Sequence, residues 1–184
     1  MIKKKTVIIA IFVVSVLILF TFGGCMFGDD SQGDKAPEGA ANGESEVEGE
    51  KAYSFSLENL AGEEVSMDEL EGKVVFVKFW GMFCPNCLID LPYIDDLHND
   101  YVDDEEVEIL TVNFSDSPSD VESLMEDEGY SFEVLFDIDE EAARGFGVTG
   151  APTYYVVDAD GKIVFENPGQ LGYDNAKNAI EDAR

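Results

Sequence analysis

The chain has 184 residues, and its 40 acidic side chains outnumber 11 Lys and Arg, giving a formal net charge of −29 at pH 7. This charge argues against nucleic-acid binding and against attachment to anionic lipid through a basic patch, because both need a cationic face. Hydrophobic residues make up 45% of the chain, which suffices for one ordinary folded domain with additional segments.

The chain opens with the pattern of an export signal. Three lysines at residues 3–5 precede an apolar run over residues 7–22, and two glycines then lead to Cys25. Residues 22–25 resemble a bacterial lipobox, which predicts that residues 1–24 are a cleaved signal peptide and that Cys25 carries the lipid anchor. The alternative is an uncleaved transmembrane anchor. In both cases the lysines stay inside, and the rest of the chain is extracytoplasmic.

Residues 25–51 are rich in Gly, Glu, Asp, Ser and Ala and contain almost no large apolar side chain after Phe27. Such a segment cannot bury enough apolar surface to offset the loss of chain entropy. We therefore predict a flexible acidic tether, followed by a folded domain over residues 52–184.

The domain sequence alternates between strand and helix patterns. The first half is predicted to contain a strand at 53–57, a Gly62 turn leading to Val65, one helical turn at 67–70, a central strand at 74–80 and a helix after Cys84. Strands at 107–114 and 132–136 follow, separated by a helix that begins after Ser117. The chain then continues with a helix at 140–146, strands at 153–157 and 162–165 joined at Asp160-Gly161, and a helix at 173–183. Pro92 should kink the helix that contains it. The fold class is α/β, with a mixed central sheet and helices on both faces.

Cys84 and Cys87 form a Cys-x-x-Cys motif between the central strand and the following helix. The positive end of a helix dipole and its unpaired N–H groups favour a thiolate at the first cysteine. Pro85 suits the first helical position, which needs no backbone N–H. The pattern predicts a redox-active dithiol, with no other cofactor. His98 lies eleven residues beyond Cys87, too far along a helix to share a metal with the pair, so we predict no metal site.

Residues 150–153, Gly-Ala-Pro-Thr, precede the last hairpin. A cis Pro152 would turn the backbone of Ala151 outward, where it could pair with an extended peptide. The alternative is an ordinary trans turn, and the residues alone leave both open.

Residues 80–87 and 150–153 together resemble the thioredoxin superfamily, and more narrowly the TlpA/ResA-like membrane-tethered thiol-disulfide oxidoreductases. The resemblance covers residues 52–184 and implies a thioredoxin-like fold with an N-terminal β-hairpin extension. It also implies that Pro152 is cis and faces the dithiol. By the same resemblance, Cys84 attacks a substrate disulfide, and the more buried Cys87 resolves the mixed disulfide.

The resemblance further implies a substrate-binding surface made of Trp80, Phe83, Ala151 and Pro152. Trp80 is expected to shape the rim and pack under the loop, while Phe83 covers the sulfur. The expected partners are exported proteins with disulfides or dithiols, including apocytochrome c, and a membrane thiol electron carrier. We expect a monomer.

Two departures from the family pattern, Pro85-Asn86 and Lys78, concern the pKa values of the cysteines. The dipeptide Pro85-Asn86 carries no acid that would disfavour the Cys84 thiolate. We therefore predict that the Cys84–Cys87 couple is more oxidising than that of cytosolic thioredoxin, whose potential is about −270 mV. Lys78 stands where thioredoxin has a buried acid. The favoured interpretation packs its stem in the sheet with the amine reaching an acidic neighbour; the alternative is a cation that stabilises a thiolate. Asp90 and water are the two candidates to replace the acid.

Two other functions remain as alternatives. A thiol peroxidase usually has a Pro-x-x-x-Thr-x-x-Cys motif, and the residues before Cys84 do not match it. A non-catalytic lipoprotein that binds a metal or a partner would not need both Cys84 and Cys87. Assays of insulin reduction and of peroxide consumption would separate these alternatives.

Overall fold

The structure, a computed structural model, describes residues 49–184. The predictions of a signal peptide, of the Cys25 anchor and of most of the tether concern residues outside this range. The elements are β1 (Ser56–Asn59), β2 (Glu64–Ser66), a 3₁₀ turn (Met67–Leu70), β3 (Val74–Trp80), α1 (Pro85–Tyr101), β4 (Val107–Asn113), α2 (Pro118–Glu128), β5 (Glu133–Phe136), α3 (Glu141–Gly145), β6 (Thr153–Val157), β7 (Ile163–Pro168) and α4 (Tyr173–Asp182).

One mixed sheet organises the described residues. Its seven strands lie in the order β2-β1-β5-β4-β3-β6-β7. All seven residues of β3 are buried, as the apolar run of this strand predicts. It pairs in parallel with β4 and antiparallel with β6, so the carboxyl end of β3 lies beside the start of β6. The cysteine motif and the Pro152 segment are therefore brought to the same edge of the sheet.

Alternation along β3 divides the core into two layers. Phe76 and Trp80 pack on one face with buried side chains of α1, α2 and α4. Val77 and Phe79 pack on the other face with α3 and the N-terminal region. Helices thus cover both faces, and the predicted α/β thioredoxin-like architecture is confirmed.

The N-terminal hairpin consists of β1 and β2, and β1 pairs antiparallel with β5 at the edge of the main sheet. The hairpin begins at Ser56 and not at the predicted Tyr53, because β2 ends at Ser66, opposite Ser56, and leaves no partner strand for the residues before it. The chain is already ordered before it: Ala52 N–H donates to the Gly161 carbonyl at 2.9 Å, and Glu50 accepts from Ile163 at the same distance.

Other boundaries differ from the predictions by a few residues at most. The largest difference is β7, which continues to Pro168 where the prediction ended at Phe165. Helix α1 runs for 17 residues and includes the exposed Pro92 in its interior. Within residues 49–184, no helix combines the length and apolar character that a membrane crossing requires.

Candidate active site

The site is built around a disulfide between Cys84 and Cys87. Cys84 caps α1, and its Sγ accepts a hydrogen bond from the backbone N–H of Cys87 at 3.1 Å. The Cys84 side chain is 8% exposed and that of Cys87 is fully buried, as predicted. Cys84 is therefore the sulfur that an incoming disulfide reaches first, and its thiolate would keep the same backbone donor.

The two segments that form the site carry no charged side chain of their own, although the chain has a net charge of −29. Neither residues 81–89 nor residues 148–153 include an acid or a base, and the first turn of α1 has no acidic residue. No carboxylate in these segments opposes the positive end of the helix dipole. The local sequence is the basis of the prediction that Pro85-Asn86 favours a thiolate at Cys84, which stays a prediction. Both of these residues are exposed, and Pro85 is the first residue of the helix.

The Ala151–Pro152 peptide bond is cis, which confirms that prediction. The carbonyl oxygen of Ala151 lies 3.3 Å from Cys84 Sγ. Thr153 fixes the segment by donating from Oγ1 to the Gly150 carbonyl at 2.8 Å. Pro152 is buried and Ala151 is half-buried, so the Ala151 backbone borders the sulfur at the surface.

Two exposed apolar side chains close to Cys84 in the chain, Phe83 and Ile89, form the candidate rim of the site, and they are 62% and 66% exposed. Phe83 packs edge-on against Phe114 at 5.9 Å between ring centroids. A Cβ on Gly81 would overlap the Phe83 ring and come within 3.2 Å of the Phe114 carbonyl oxygen, so a larger residue here would displace the exposed Phe83 ring.

Trp80 does not belong to this rim, contrary to the expectation that it shapes the rim. Its side chain is fully buried, and its Nε1 has no hydrogen-bond partner among the described residues. The reason is strand alternation, which places Trp80 on the same inward face as Phe76. Trp80 supports the redox loop from within the core.

Sequence reasoning missed Asp116, which fastens the redox loop. Its Oδ2 accepts from the Met82 backbone N–H at 2.6 Å and from Asn113 Nδ2 at 2.9 Å. The sequence did contain a signal for this contact, because Asp116 follows β4 and the redox loop follows β3. These two strands are parallel neighbours, so their carboxyl ends meet at one edge of the sheet. The Oδ1 of Asn113 is buried without a partner in the described part of the chain, so Asp116 satisfies only one end of that amide.

Lys78 is fully buried beneath the cysteines, and its Nζ donates to the carbonyl oxygen of Cys87 at 3.1 Å. The expectation that its amine reaches an acidic neighbour is wrong, since Lys78 takes part in none of the ion pairs of residues 49–184. The amine lies 5.7 Å from the centre of the Tyr154 ring. Its position in β3 turns it toward α1 and away from water.

Asp90 lies in α1, almost completely buried, and accepts hydrogen bonds from the Tyr154 hydroxyl and from Gln170 Nε2. Tyr93 in turn donates its hydroxyl to that of Tyr154 at 2.8 Å. The tyrosines and Gln170 were not identified from the sequence, because they belong to elements far apart in the chain.

Burial decides the titration of this cluster. Loss of hydration lowers the pKa of Lys78 to about 7, although the negative charge of Asp90 acts in the opposite direction. Burial also raises the pKa of Tyr93 to about 12 and raises that of Tyr154 further. The amine is thus the base of this cluster that titrates near neutral pH.

His98 is half-buried in the last turn of α1. Within residues 49–184, no group of three or more His, Cys, Asp or Glu side chains is arranged to hold a metal ion.

Comparison with known families shows that residues 48–166 match the AhpC/TSA family. The chain is also 32% identical over 159 residues to the thiol-disulfide oxidoreductase ResA of Halalkalibacterium halodurans. That alignment covers 86% of this chain and 82% of the relative.

Solved structures give the same result. A thiol:disulfide interchange protein DsbE described as putative, from Chlorobium tepidum, aligns with a TM-score of 0.66 at 26% identity, over 73% of this chain and 96% of that one. The exposed lipoprotein thioredoxin Etrx1 of Streptococcus pneumoniae aligns with a TM-score of 0.64 at 26% identity, over 71% of this chain and 99% of that one.

Proposed function

Because the chain belongs to the AhpC/TSA family of the thioredoxin superfamily and to its ResA-like thiol-disulfide oxidoreductases, we propose that it reduces disulfides of exported proteins outside the cytoplasmic membrane. The general activity, thiol-disulfide exchange, follows from this membership. The substrates, the direction of electron flow and the location are the content of the proposal.

One observation carries the mechanism: the buried Cys87 and the partly accessible Cys84 are joined at the start of α1, with the Ala151 carbonyl beside Cys84 Sγ. In the reduced protein, the Cys84 thiolate attacks one sulfur of the substrate disulfide, and the other substrate sulfur leaves with the electron pair. Cys87 then attacks Cys84 Sγ, which restores the disulfide and releases the second substrate thiol. The substrate leaves with two electrons, and a thiol electron carrier in the membrane must return them.

The site favours an extended, weakly charged segment around the substrate cysteine. Ala151 offers backbone groups beside the sulfur, and Phe83 and Ile89 offer apolar surface on either side of the helix start. Apocytochrome c is a candidate substrate, because its two haem-binding cysteines must be reduced before haem is attached.

The N-terminal connection is consistent with a tethered enzyme. Ala52 pairs with Gly161 in the β6–β7 turn, and this turn lies at the end of the sheet opposite to Cys84. A tether from a lipid-anchored Cys25 would therefore join the domain at the end of the sheet opposite to the dithiol and would leave the dithiol clear of the attachment point. The relative from Streptococcus pneumoniae is itself described as an exposed lipoprotein.

The activity is tested by insulin reduction with dithiothreitol as electron source, using the wild type and the variants Cys84→Ser and Cys87→Ser. We expect turnover only with both cysteines. The substrate class is then tested with an oxidised peptide containing Cys-x-x-Cys-His, compared with a peptide of the same composition whose cysteines lie far apart. Equal rates would contradict a role in cytochrome c maturation while leaving the reductase intact.

Location is tested by fractionating cells that express the full chain and the variant Cys25→Ala. We expect the full chain in the membrane fraction and its domain accessible to protease from outside, and we expect Cys25→Ala to lose the lipid. A full chain that carries no lipid and still stays in the membrane fraction would favour the uncleaved anchor instead.

A peroxidase function is the alternative that the AhpC/TSA membership requires us to test. In this chain Cys84 is paired with a cysteine three residues away in the same helix, an arrangement suited to exchange with protein disulfides. Consumption of peroxide at a rate above that of insulin reduction would overturn the proposed reductase activity.

A further inference from the structure

Lys78 is a fully buried amine whose only hydrogen bond within the described residues goes to the resolving cysteine. The acceptor is the Cys87 carbonyl oxygen at 3.1 Å, and the Cys87 sulfur belongs to the same buried residue. Among residues 49–184, no other titratable side chain apart from Cys84 forms a hydrogen bond with Cys87. A lysine stem is long and flexible enough for the amine to turn from the oxygen to the sulfur once the disulfide opens.

The resolving step needs a base at this point. Cys87 is enclosed by the core, so its thiol must lose a proton inside the protein before the sulfur can attack Cys84. Burial in apolar surroundings disfavours a thiolate, and water cannot reach a side chain with no exposed surface.

We propose that Lys78, as a neutral amine, accepts the proton of the Cys87 thiol when Cys87 resolves the mixed disulfide. The proposal rests on the disulfide exchange described above. The proton passes from Cys87 Sγ to Lys78 Nζ, the Cys87 sulfur forms a bond with Cys84 Sγ, and the bond from Cys84 to the substrate sulfur breaks. The substrate sulfur takes that electron pair and a proton from solvent, so charge and electrons balance.

The groups around Lys78 are suited to this role. Asp90, one turn after Cys87 in α1, supplies a negative charge that favours the protonated amine. Tyr154 of β6 and Tyr93 of α1 keep their protons in the working range, because burial raises the pKa of each. Gln170 and Thr111, the latter opposite Lys78 in β4, do not titrate. The buried residues of α4 on this side are apolar. The amine therefore titrates near pH 7. Asp90 is the other base on the described elements around it, and both of its oxygens are already engaged by hydrogen bonds from Tyr154 and Gln170.

The test separates the two chemical steps. The reduced protein is mixed with an aromatic disulfide that releases one coloured thiolate when Cys84 attacks and a second when Cys87 resolves. The two phases are followed in a stopped-flow instrument from pH 5.5 to 9.5. In the wild type, we expect the second phase to become faster as the pH rises through about 7, the pKa of Lys78.

Three variants identify the role of the amine. Lys78→Met removes the base and the charge, Lys78→Gln keeps a neutral donor, and Lys78→Arg keeps a charge that cannot accept a proton. We expect the second phase at pH 7 to slow by about a hundredfold or more in all three, with its inflection near pH 7 lost. The first phase should stay within about twofold, which shows that Cys84 is active, and circular dichroism checks that each variant is folded.

Two results would overturn the proposal. An unchanged second phase in Lys78→Met would show that Cys87 needs no base at this position. A slow second phase in Lys78→Met with a normal one in Lys78→Arg would show that Lys78 acts as a positive charge only. Should Lys78→Arg fail to fold, Lys78→Gln together with the ¹⁵N-detected titration of the Lys78 amine decides: an amine that stays protonated above pH 9 contradicts the proposal. Loss of the first phase in the wild type would instead refute the proposed function.

Discussion

Asp116 offers a quantitative test of how the redox loop is held. The variant Asp116→Ala removes the acceptor of the Met82 N–H and of Asn113 Nδ2. A hydrogen bond to a charged group contributes about 1.5–3 kcal/mol when its partner cannot be rehydrated. Met82 is half-buried, so water can replace part of its hydrogen bond. Asn113 is buried and its Oδ1 already lacks a partner among the described residues, so the loss of Asp116 would leave its Nδ2 unpaired as well. We expect the free energy of unfolding to fall by about 2 kcal/mol.

The variant Asp116→Asn should cost about half as much, because its amide oxygen can still accept one of the two hydrogen bonds. Removing any acid also relieves repulsion in a chain with a net charge of −29, so a matched control is needed. Asp139 is exposed and forms no hydrogen bond among residues 49–184, and Asp139→Ala should change stability by less than about 0.5 kcal/mol.

The measurement is urea unfolding of the oxidised proteins, followed by circular dichroism and by Trp80 fluorescence. The quantity of interest is the difference between Asp116→Ala and Asp139→Ala. A difference below about 0.5 kcal/mol would refute the conclusion that Asp116 fastens the loop, since two charge-assisted bonds would then contribute almost nothing.

Three further predictions concern the site. The midpoint potential of the Cys84–Cys87 couple should be more oxidising than about −270 mV, because no acid in the first turn of α1 disfavours the Cys84 thiolate. Equilibration with glutathione measures this potential, and a value well below about −270 mV contradicts the reasoning. Phe83→Ser should raise KM for insulin about threefold to tenfold and leave the first-phase rate with a small disulfide unchanged, because only apolar contact area with the substrate is lost. The control is Val102→Ser at the far end of α1, since Val102 is 61% exposed and Phe83 is 62% exposed. Equal effects of the two substitutions on KM would exclude a role for Phe83. Lys78→Met should be more stable than the wild type at pH 7. The pKa of Lys78 is lowered from 10.5 to about 7 by folding, so between these pH values Lys78 binds a proton in the unfolded state but not in the folded state. The stability of the wild type therefore rises with pH, and the difference in stability between Lys78→Met and the wild type narrows toward pH 10. Urea unfolding from pH 7 to 9.5 measures this difference, and a difference that stays constant contradicts the prediction.

Much of the fold could be predicted because it depends on local patterns. The unbroken apolar run of β3 identified the central strand, and Ser117 before Pro118 identified the start of α2, where Ser117 caps the helix as expected. The two segments that meet at the site were found because each has a distinctive motif at the end of an element.

The remaining features depend on contacts between distant segments. The bond from Met82 to Asp116 spans 34 residues, and that from Tyr154 to Asp90 spans 64, so neither has a local signature. Trp80 is different, because the alternation of β3 already placed it on the inward face with Phe76, and its assignment to the rim overlooked that pattern. For Lys78, alternation could predict the face but not the acceptor, which is a backbone carbonyl of α1.

The most direct test of the central claim, that Cys84 exchanges with protein disulfides and Cys87 resolves the product, is trapping of the mixed disulfide. Reduced Cys87→Ser and Cys84→Ser are each mixed with oxidised insulin, quenched with acid and separated on a non-reducing gel. We expect Cys87→Ser to accumulate a covalent complex through Cys84 that dithiothreitol dissolves, and Cys84→Ser to form none. A complex with Cys84→Ser of equal yield, or none with Cys87→Ser, would contradict the account.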